Sequence, residues 1–169
     1  MRYYPAGIAL SLALAITASM GTAAPRQADP RAVTLVAEGR AQLEAGDTQA
    51  AIDSFEAALA VDPAYVRVFI ELGDAARQSG LQGKAIHFYR EAQERDPGNL
   101  AAIAGEGAAL AEKGATAKAQ EKQAMLESLC GSNCVETRYV AAAIARGPLP
   151  QDAVMTAEAV QPEAGVTSN

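Results

Sequence analysis

Ala51-Ile52-x-x-Phe55-x-x-Ala58-Leu59-x-x-Asp62-Pro63 is the stretch that decides the fold, and the chain carries a second version of it as Ala85-Ile86-x-x-Tyr89-x-x-Ala92-x-x-x-Asp96-Pro97. Each matched residue of the second version lies 34 positions after its counterpart. Two glycines precede each stretch in the same register: Gly39 and Gly46, then Gly73 and Gly80. A fixed period of this size is typical of proteins that stack copies of one structural unit.

The composition favours helices. Of 169 residues, 50% are hydrophobic but only 5% are aromatic, and the apolar content is mostly Ala, Leu, Val and Ile. Alanine is the strongest helix former because it loses no side-chain entropy in a helix. No segment alternates β-branched or aromatic residues between turns, as a strand would. The sequence therefore predicts an all-α protein.

The charge argues against nucleic acid as a partner. The formal net charge is −6 and the sequence pI is about 4.8. Binding to phosphates requires clustered Lys and Arg. In this sequence the basic residues are scattered along predicted helices, often beside acids, as on an ordinary solvated surface.

Residues 1–23 have the order of a secretory signal peptide. Arg2 supplies a positive start, an apolar run extends from Ile8 to Met20, and small residues follow. The run is shorter than the roughly 20 residues that a membrane-spanning helix needs. We therefore predict cleavage after Ala23 and a periplasmic product. The alternative is an uncleaved segment that anchors the domain, which would then be its one membrane contact.

The 34-residue register predicts three helical hairpins and a capping helix within residues 29–146. The repeats are expected at about 32–65, 66–99 and 100–130, and the cap at 135–146. The third repeat lacks the aromatic residue that the first two repeats have at Phe55 and Tyr89. Met125 and Leu126 are expected to face inward there. Asn133 with Glu136 resembles a capping box at the start of the last helix. Residues 147–169, rich in Pro and small residues, are predicted to be a disordered tail.

The register, the small residues and the Asp-Pro endings of residues 32–130 together resemble the tetratricopeptide repeat family, here as a bacterial, exported member. The resemblance implies a right-handed solenoid of helix-turn-helix units, whose concave face binds proteins or peptides, and it implies no catalysis. The concave residues would come from the first helix of each pair: Val33, Val36, Arg40, Leu43, Arg67, Ile70, Asp74, Arg77, Ala101, Ala104, Ala108 and Ala111. Some family members clamp a peptide's terminal carboxylate with a Lys-and-Asn set that this sequence lacks.

Two parts of this predicted surface have alternative interpretations. Arg67 and Arg77 offer donors for a carboxylate or a carbonyl, although each is also typical of a solvated helix face. The alanines of the third repeat would either receive a partner helix at close range or be covered by the chain's own tail.

Cys130 and Cys134 are the residues with possible chemistry. Two cysteines in an exported chain most often pair with each other, which here would fix the cap against the last repeat. A thiol pair that exchanges disulfides is the second interpretation, and a metal site the third. The metal site would need two further ligands, and the single histidine, His87, lies on another repeat.

These observations predict a non-enzymatic periplasmic scaffold for a protein or peptide partner. They give no catalytic residue, metal site or cofactor, and no small-molecule substrate. The alternative function is a thiol-active envelope assembly factor that uses Cys130 and Cys134. A self-association module is a further possibility.

Overall fold

A computed structural model describes residues 26–150, so the predicted signal peptide and residues 151–169 of the predicted tail lie outside the described residues. Within residues 26–150 the protein is all α-helix, without strands. Seven helices follow one another: α1 (Pro30–Glu44), α2 (Thr48–Val61), α3 (Val66–Gln78), α4 (Gln82–Arg95), α5 (Leu100–Glu112), α6 (Thr116–Cys130) and α7 (Val135–Arg146). None of them is long and apolar enough to cross a membrane.

The helices form three consecutive hairpins and a final helix. α1 packs on α2, α3 on α4, and α5 on α6, while α2–α3 and α4–α5 contacts join each hairpin to the next. α7 lies against both α5 and α6. Because each element packs mainly on its sequence neighbours, the structure is a helical repeat solenoid. The predicted fold class is confirmed.

The turn inside each hairpin is made by glycine at the same repeat position. Gly46, Gly80 and Gly114 have φ values of 86°, 74° and 86°. This left-handed conformation costs little for glycine and is strained for residues with a Cβ atom. Asp47 caps the helix that follows Gly46, because its carboxylate accepts the Ala50 backbone N–H. The repeated turns thus follow from the sequence register.

The glycines inside the first helices make room for buried rings. Phe55 and Tyr89 are both fully buried. A Cβ atom on Gly39 would stand 2.7 Å from Phe55 Cδ1, and one on Gly73 would stand 2.6 Å from Tyr89 Cε1. Gly105, in the following hairpin, meets the other side of Tyr89 in the same way. The predicted close approach of the helices is therefore observed at both rings.

The third hairpin and the last helix differ in detail from the sequence prediction. Leu126 is fully buried as expected, but Met125 is exposed. Val140 of α7, with Leu126, takes the inner space, and its methyl carbons lie 3.0 Å from where a Gly107 Cβ would be. The prediction of a capping box at Asn133 is wrong. Cys134, and not Asn133, occupies the cap position of α7, where no side-chain hydrogen bond is made, and its sulfur is linked to Cys130.

The described part of the predicted tail lies against the end of α5. The Leu149 backbone N–H donates to the Glu112 carbonyl at 3.0 Å. Pro148 Cβ lies 3.7 Å from where a Gly114 Cβ would be. Residues 147–150 therefore belong to the folded unit.

Candidate functional site

The predicted concave residues divide into exposed and buried groups. Those with at least part of the side chain in solvent are Val33, Arg40, Leu43, Arg67, Asp74, Arg77 and Ala101. Those that are buried are Val36, Ile70, Ala104, Ala108 and Ala111. The buried five pack into the core and present no surface to a partner. The predicted partner surface is therefore smaller than expected, and α1 and α3 supply most of it.

The alanines of the third repeat are covered by the chain itself. Ala104 packs in a cluster with Val140 of α7, and Ala108 shares a second cluster with Ala143 of the same helix. Small side chains let α5 and α7 approach closely. Within residues 26–150 the element that covers Ala104 and Ala108 is therefore the capping helix, whereas the prediction of self-coverage named the tail.

Two arginines of the predicted partner surface share one buried carboxylate. Glu71 of α3 is buried, and its Oε1 accepts hydrogen bonds from Arg40 Nη2 and from Arg67 Nε, the latter at 2.7 Å. The side chains of Arg40 and Arg67 remain 41% and 47% exposed. A guanidinium has five N–H donors, so both arginines keep donors for another acceptor. The sequence analysis missed Glu71; its position four residues after Arg67 was the available signal.

Arg77 has a different environment from Arg67. Its Nη1 donates to Glu112 Oε1 at 2.7 Å, and its guanidinium carbon lies 5.7 Å from the centre of the Tyr139 ring. The side chain is only 20% exposed. Arg77 therefore links α3, α5 and α7, which leaves less of it for a ligand.

Asp74 is held by the second buried ring. The Tyr89 hydroxyl donates to Asp74 Oδ1 at 2.7 Å. Burial raises the pKa of Asp74 above the ordinary value, and the nearby Glu71 charge adds to it, while the hydrogen bond from Tyr89 opposes both. Burial and the Asp74 charge raise the pKa of Tyr89 in turn, so its hydroxyl remains a donor at neutral pH.

These side chains line a groove between α1 and α3. Its volume is about 610 Å³, and it is lined by Arg40, Leu43, Glu44, Glu71, Asp74, Arg77 and Gln78. Positively and negatively charged side chains both line the groove, and Leu43 adds an apolar surface. Such a lining can hold a polypeptide by hydrogen bonds to its backbone and to its polar side chains.

Residues 36–99 match the model of the tetratricopeptide repeat family. This segment includes α1 from Val36 onward and the whole of α2, α3 and α4. The hairpin of α5 and α6, which follows that segment, continues the same packing. The fold is that of a tetratricopeptide repeat array.

Three solved structures illustrate the likeness of the array. The first repeat domain of Spaghetti (RPAP3), bound to the HSP90 peptide SRMEEVD, is 19% identical with a TM-score of 0.60, covering 68% of this chain and 94% of that one. The Yersinia enterocolitica type III secretion chaperone SycD, in complex with a peptide of the translocator YopD, is 22% identical with a TM-score of 0.59, covering 68% of this chain and 89% of that one. The Sgt2 repeat domain from Aspergillus fumigatus is 23% identical with a TM-score of 0.63, covering 73% of this chain and 84% of that one. Comparison with curated proteins found no match.

The cysteines join the last repeat to the cap of the array. Cys130 and Cys134 are at disulfide-bonding distance. The Thr137 hydroxyl donates to the Gly131 carbonyl at 3.0 Å and lies 3.1 Å from Cys134 Sγ. Glu136 is the one further metal-type ligand close to both sulfurs among the described residues. Bonded cysteines do not offer thiolates, and a closed zinc site needs four ligands, so the arrangement favours a structural link. Thiol exchange stays a prediction.

Proposed function

We propose that the protein is an exported, non-enzymatic scaffold that binds a peptide segment of an envelope protein in the periplasm. The segment would lie in the groove between α1 and α3. The predicted signal peptide supports export, and the repeat fold supports a protein or peptide partner. Two of the similar structures contain bound peptides, which supports the same class of ligand.

The observation that carries the proposal is the pair of half-exposed arginines at Glu71. Because Arg40 and Arg67 share a single carboxylate, the three groups together keep one surplus positive charge. Val33, which is exposed, and Leu43 add apolar surface along the same helix as Arg40. We expect the bound segment to carry an acidic side chain next to apolar residues, since a carboxylate accepts well from guanidinium donors.

Capture from an envelope extract with matched charge reversals tests the groove. The bait is the folded chain, and bound proteins are cross-linked and identified by mass spectrometry. Arg40→Glu reverses the charge of an arginine that lines the groove and should lose at least one protein that the wild type retains. Arg138→Glu, an exposed arginine on α7, makes the same charge change elsewhere and should retain it. Loss with both variants, or capture of nothing by the wild type, would contradict the proposal.

Export is tested separately on the expressed full chain. Cell fractionation should place the protein in the periplasm, and its intact mass should correspond to a start at Ala24. A product of full length in the membrane fraction would favour the uncleaved anchor. A cytoplasmic product would refute export without bearing on the groove.

A further inference from the structure

Every lysine of the chain lines one of three adjoining grooves on the side of the array formed by α4 and α6, and the middle groove carries Lys113 and Lys118. The four are Lys84, Lys113, Lys118 and Lys122, and Arg90 lies beside them. Lys84 and Lys118 occupy the same repeat position, 34 residues apart. In a chain with a net charge of −6 this is a concentration of positive charge that the linear sequence does not show.

The middle groove has apolar residues at its base and basic residues around its opening. Its volume is about 570 Å³, and Ile86 and Leu110, both nearly buried, contribute to its lining. Lys113, which follows α5, and Lys118 of α6 line the groove together with His87 and Arg90 of α4. No carboxylate is among its lining residues, over the part of the chain that the structure describes.

The positive charge is only partly neutralised by the fold. Buried Glu106 binds Arg90 through Oε1 at 2.7 Å and Lys122 through Oε2 at 2.6 Å, so two cations share one anion. Lys84, Lys113 and Lys118 form no ion pair with any residue between 26 and 150. Glu94 and Glu121 line only the adjoining groove beyond Arg90. An acidic polypeptide segment therefore complements this surface.

The chain supplies such a segment beside the groove. Residues 151–169 contain Asp152, Glu158 and Glu163, and no Lys or Arg. The residues immediately before them, Pro148 to Pro150, line a cavity next to the groove, and both spaces share Gly83 and Lys113. Asp152 is two residues beyond Pro150, a reach of up to about 7 Å. A tethered segment has a high effective concentration at so near a site.

We infer that the groove between α4 and α6 is a docking surface for acidic peptide and that the chain's own residues 151–169 occupy it. The acids of the segment pair with Lys84, Lys113 and Lys118. This surface is separate from the concave groove between α1 and α3.

Lysine reactivity in the full chain tests the docking. The variant D152N/E158Q/E163Q removes the three negative charges of the segment. The control E38Q/D53N/E56Q removes the same charge from exposed positions on α1 and α2. Acetylation of each lysine is followed by mass spectrometry at low salt, with Lys122 as the internal reference because it is paired with Glu106.

We expect Lys84, Lys113 and Lys118 to react at least two-fold faster in the segment variant and at the wild-type rate in the control. In 0.5 M NaCl the wild-type rates should rise to those of the segment variant, because salt screens exposed ion pairs. Equal rates in the wild type and the segment variant would overturn the inference. Protection that grows with protein concentration would also overturn it, since the groove would then receive a second copy.

Discussion

Individual glycines and rings set the spacing between the hairpins. Tyr89 lies between Gly73 of its own hairpin and Gly105 of the next, and a Cβ at either position would overlap ring atoms. Because the ring is fully buried, it has no free space to move into. The cost of glycine in a helix, about 1 kcal/mol against alanine, is offset by this packing.

Gly105→Ala tests that account. The added Cβ would stand 2.5 Å from Tyr89 Cζ, and overpacking of this kind costs about 1–3 kcal/mol. We expect a net decrease in the free energy of unfolding despite the gain in helix propensity, measured by chemical denaturation. Gly83→Ala is the control, since only Lys113 Nζ lies near, at 4.0 Å, and it should leave the free energy of unfolding unchanged or raise it by up to about 1 kcal/mol. An equal effect of both variants would refute the role of the ring.

The Tyr89 hydroxyl gives a second test at this scale. Tyr89→Phe removes the hydrogen bond to Asp74 and leaves a largely buried carboxyl without its donor. We expect a loss of about 1–2 kcal/mol in the free energy of unfolding and a further rise in the pKa of Asp74, which NMR titration would detect. Tyr139→Phe is the matched control, because its hydroxyl has no hydrogen-bond partner within residues 26–150. An unchanged Asp74 titration in Tyr89→Phe would contradict the assignment.

At the scale of the helices, buried carboxylates join neighbouring elements. Glu106 of α5 accepts hydrogen bonds from Arg90 and Gln93 of α4 and from Lys122 of α6. Glu71 similarly joins α1 to α3, and Glu112 joins α5 to α3. Some charged side chains that the sequence suggests are on solvated helix faces therefore form contacts between helices.

Acid should weaken the Glu106 contacts. Burial by itself raises the pKa of Glu106, but the hydrogen bonds from Lys122, Arg90 and Gln93 outweigh it, so the pKa lies below the ordinary value of 4.5. Its stabilising contribution is therefore complete above about pH 4.5 and is lost as the pH falls through the lowered pKa. Glu106→Gln should cost about 1–3 kcal/mol at pH 7 and should lose less stability than the wild type below pH 4.5. Denaturation curves from pH 7 to 3 measure this, with exposed Glu121→Gln as the control.

The link between α6 and α7 is the second contact at this scale. The double variant C130S/C134S should lower the free energy of unfolding by roughly 2 kcal/mol, from the greater entropy of the unlinked unfolded chain. Faster hydrogen exchange should appear first in α7. Ser132→Ala, in the exposed turn between the cysteines, should leave exchange unchanged. Wild-type exchange rates in the double variant would contradict a structural role for the link.

Across the whole molecule, the hairpins depend on their neighbours and the last one depends on α7. Val140 is fully buried against the third hairpin, whereas Val135 on the same helix is largely exposed. Without α7 the side of α5 that carries Ala104 and Ala108 would lose the residues that pack over it. The array therefore needs a cap to complete its core.

Val140→Ala tests the dependence on the cap. Removing two buried methyl groups should lower the free energy of unfolding by about 2 kcal/mol. Hydrogen exchange should increase in α5–α7 more than in α1 and α2, because stability in repeat arrays is coupled mainly between neighbours. Val135→Ala should have little effect on either measurement. A uniform increase over all seven helices would show a single cooperative unit instead.

The amino-acid sequence by itself determined the 34-residue register, the helix pairs, the glycine turns and the positions of the two rings. These are local or nearest-neighbour properties, so periodicity and turn chemistry were sufficient to predict them. Only the tertiary structure decided that α7 covers Ala104 and Ala108, that Glu71 and Glu112 bind the predicted ligand arginines, and that the four lysines line three adjoining grooves on one side. Those contacts join residues on different helices, and their geometry depends on how the helices cross and approach, which no spacing along the chain encodes.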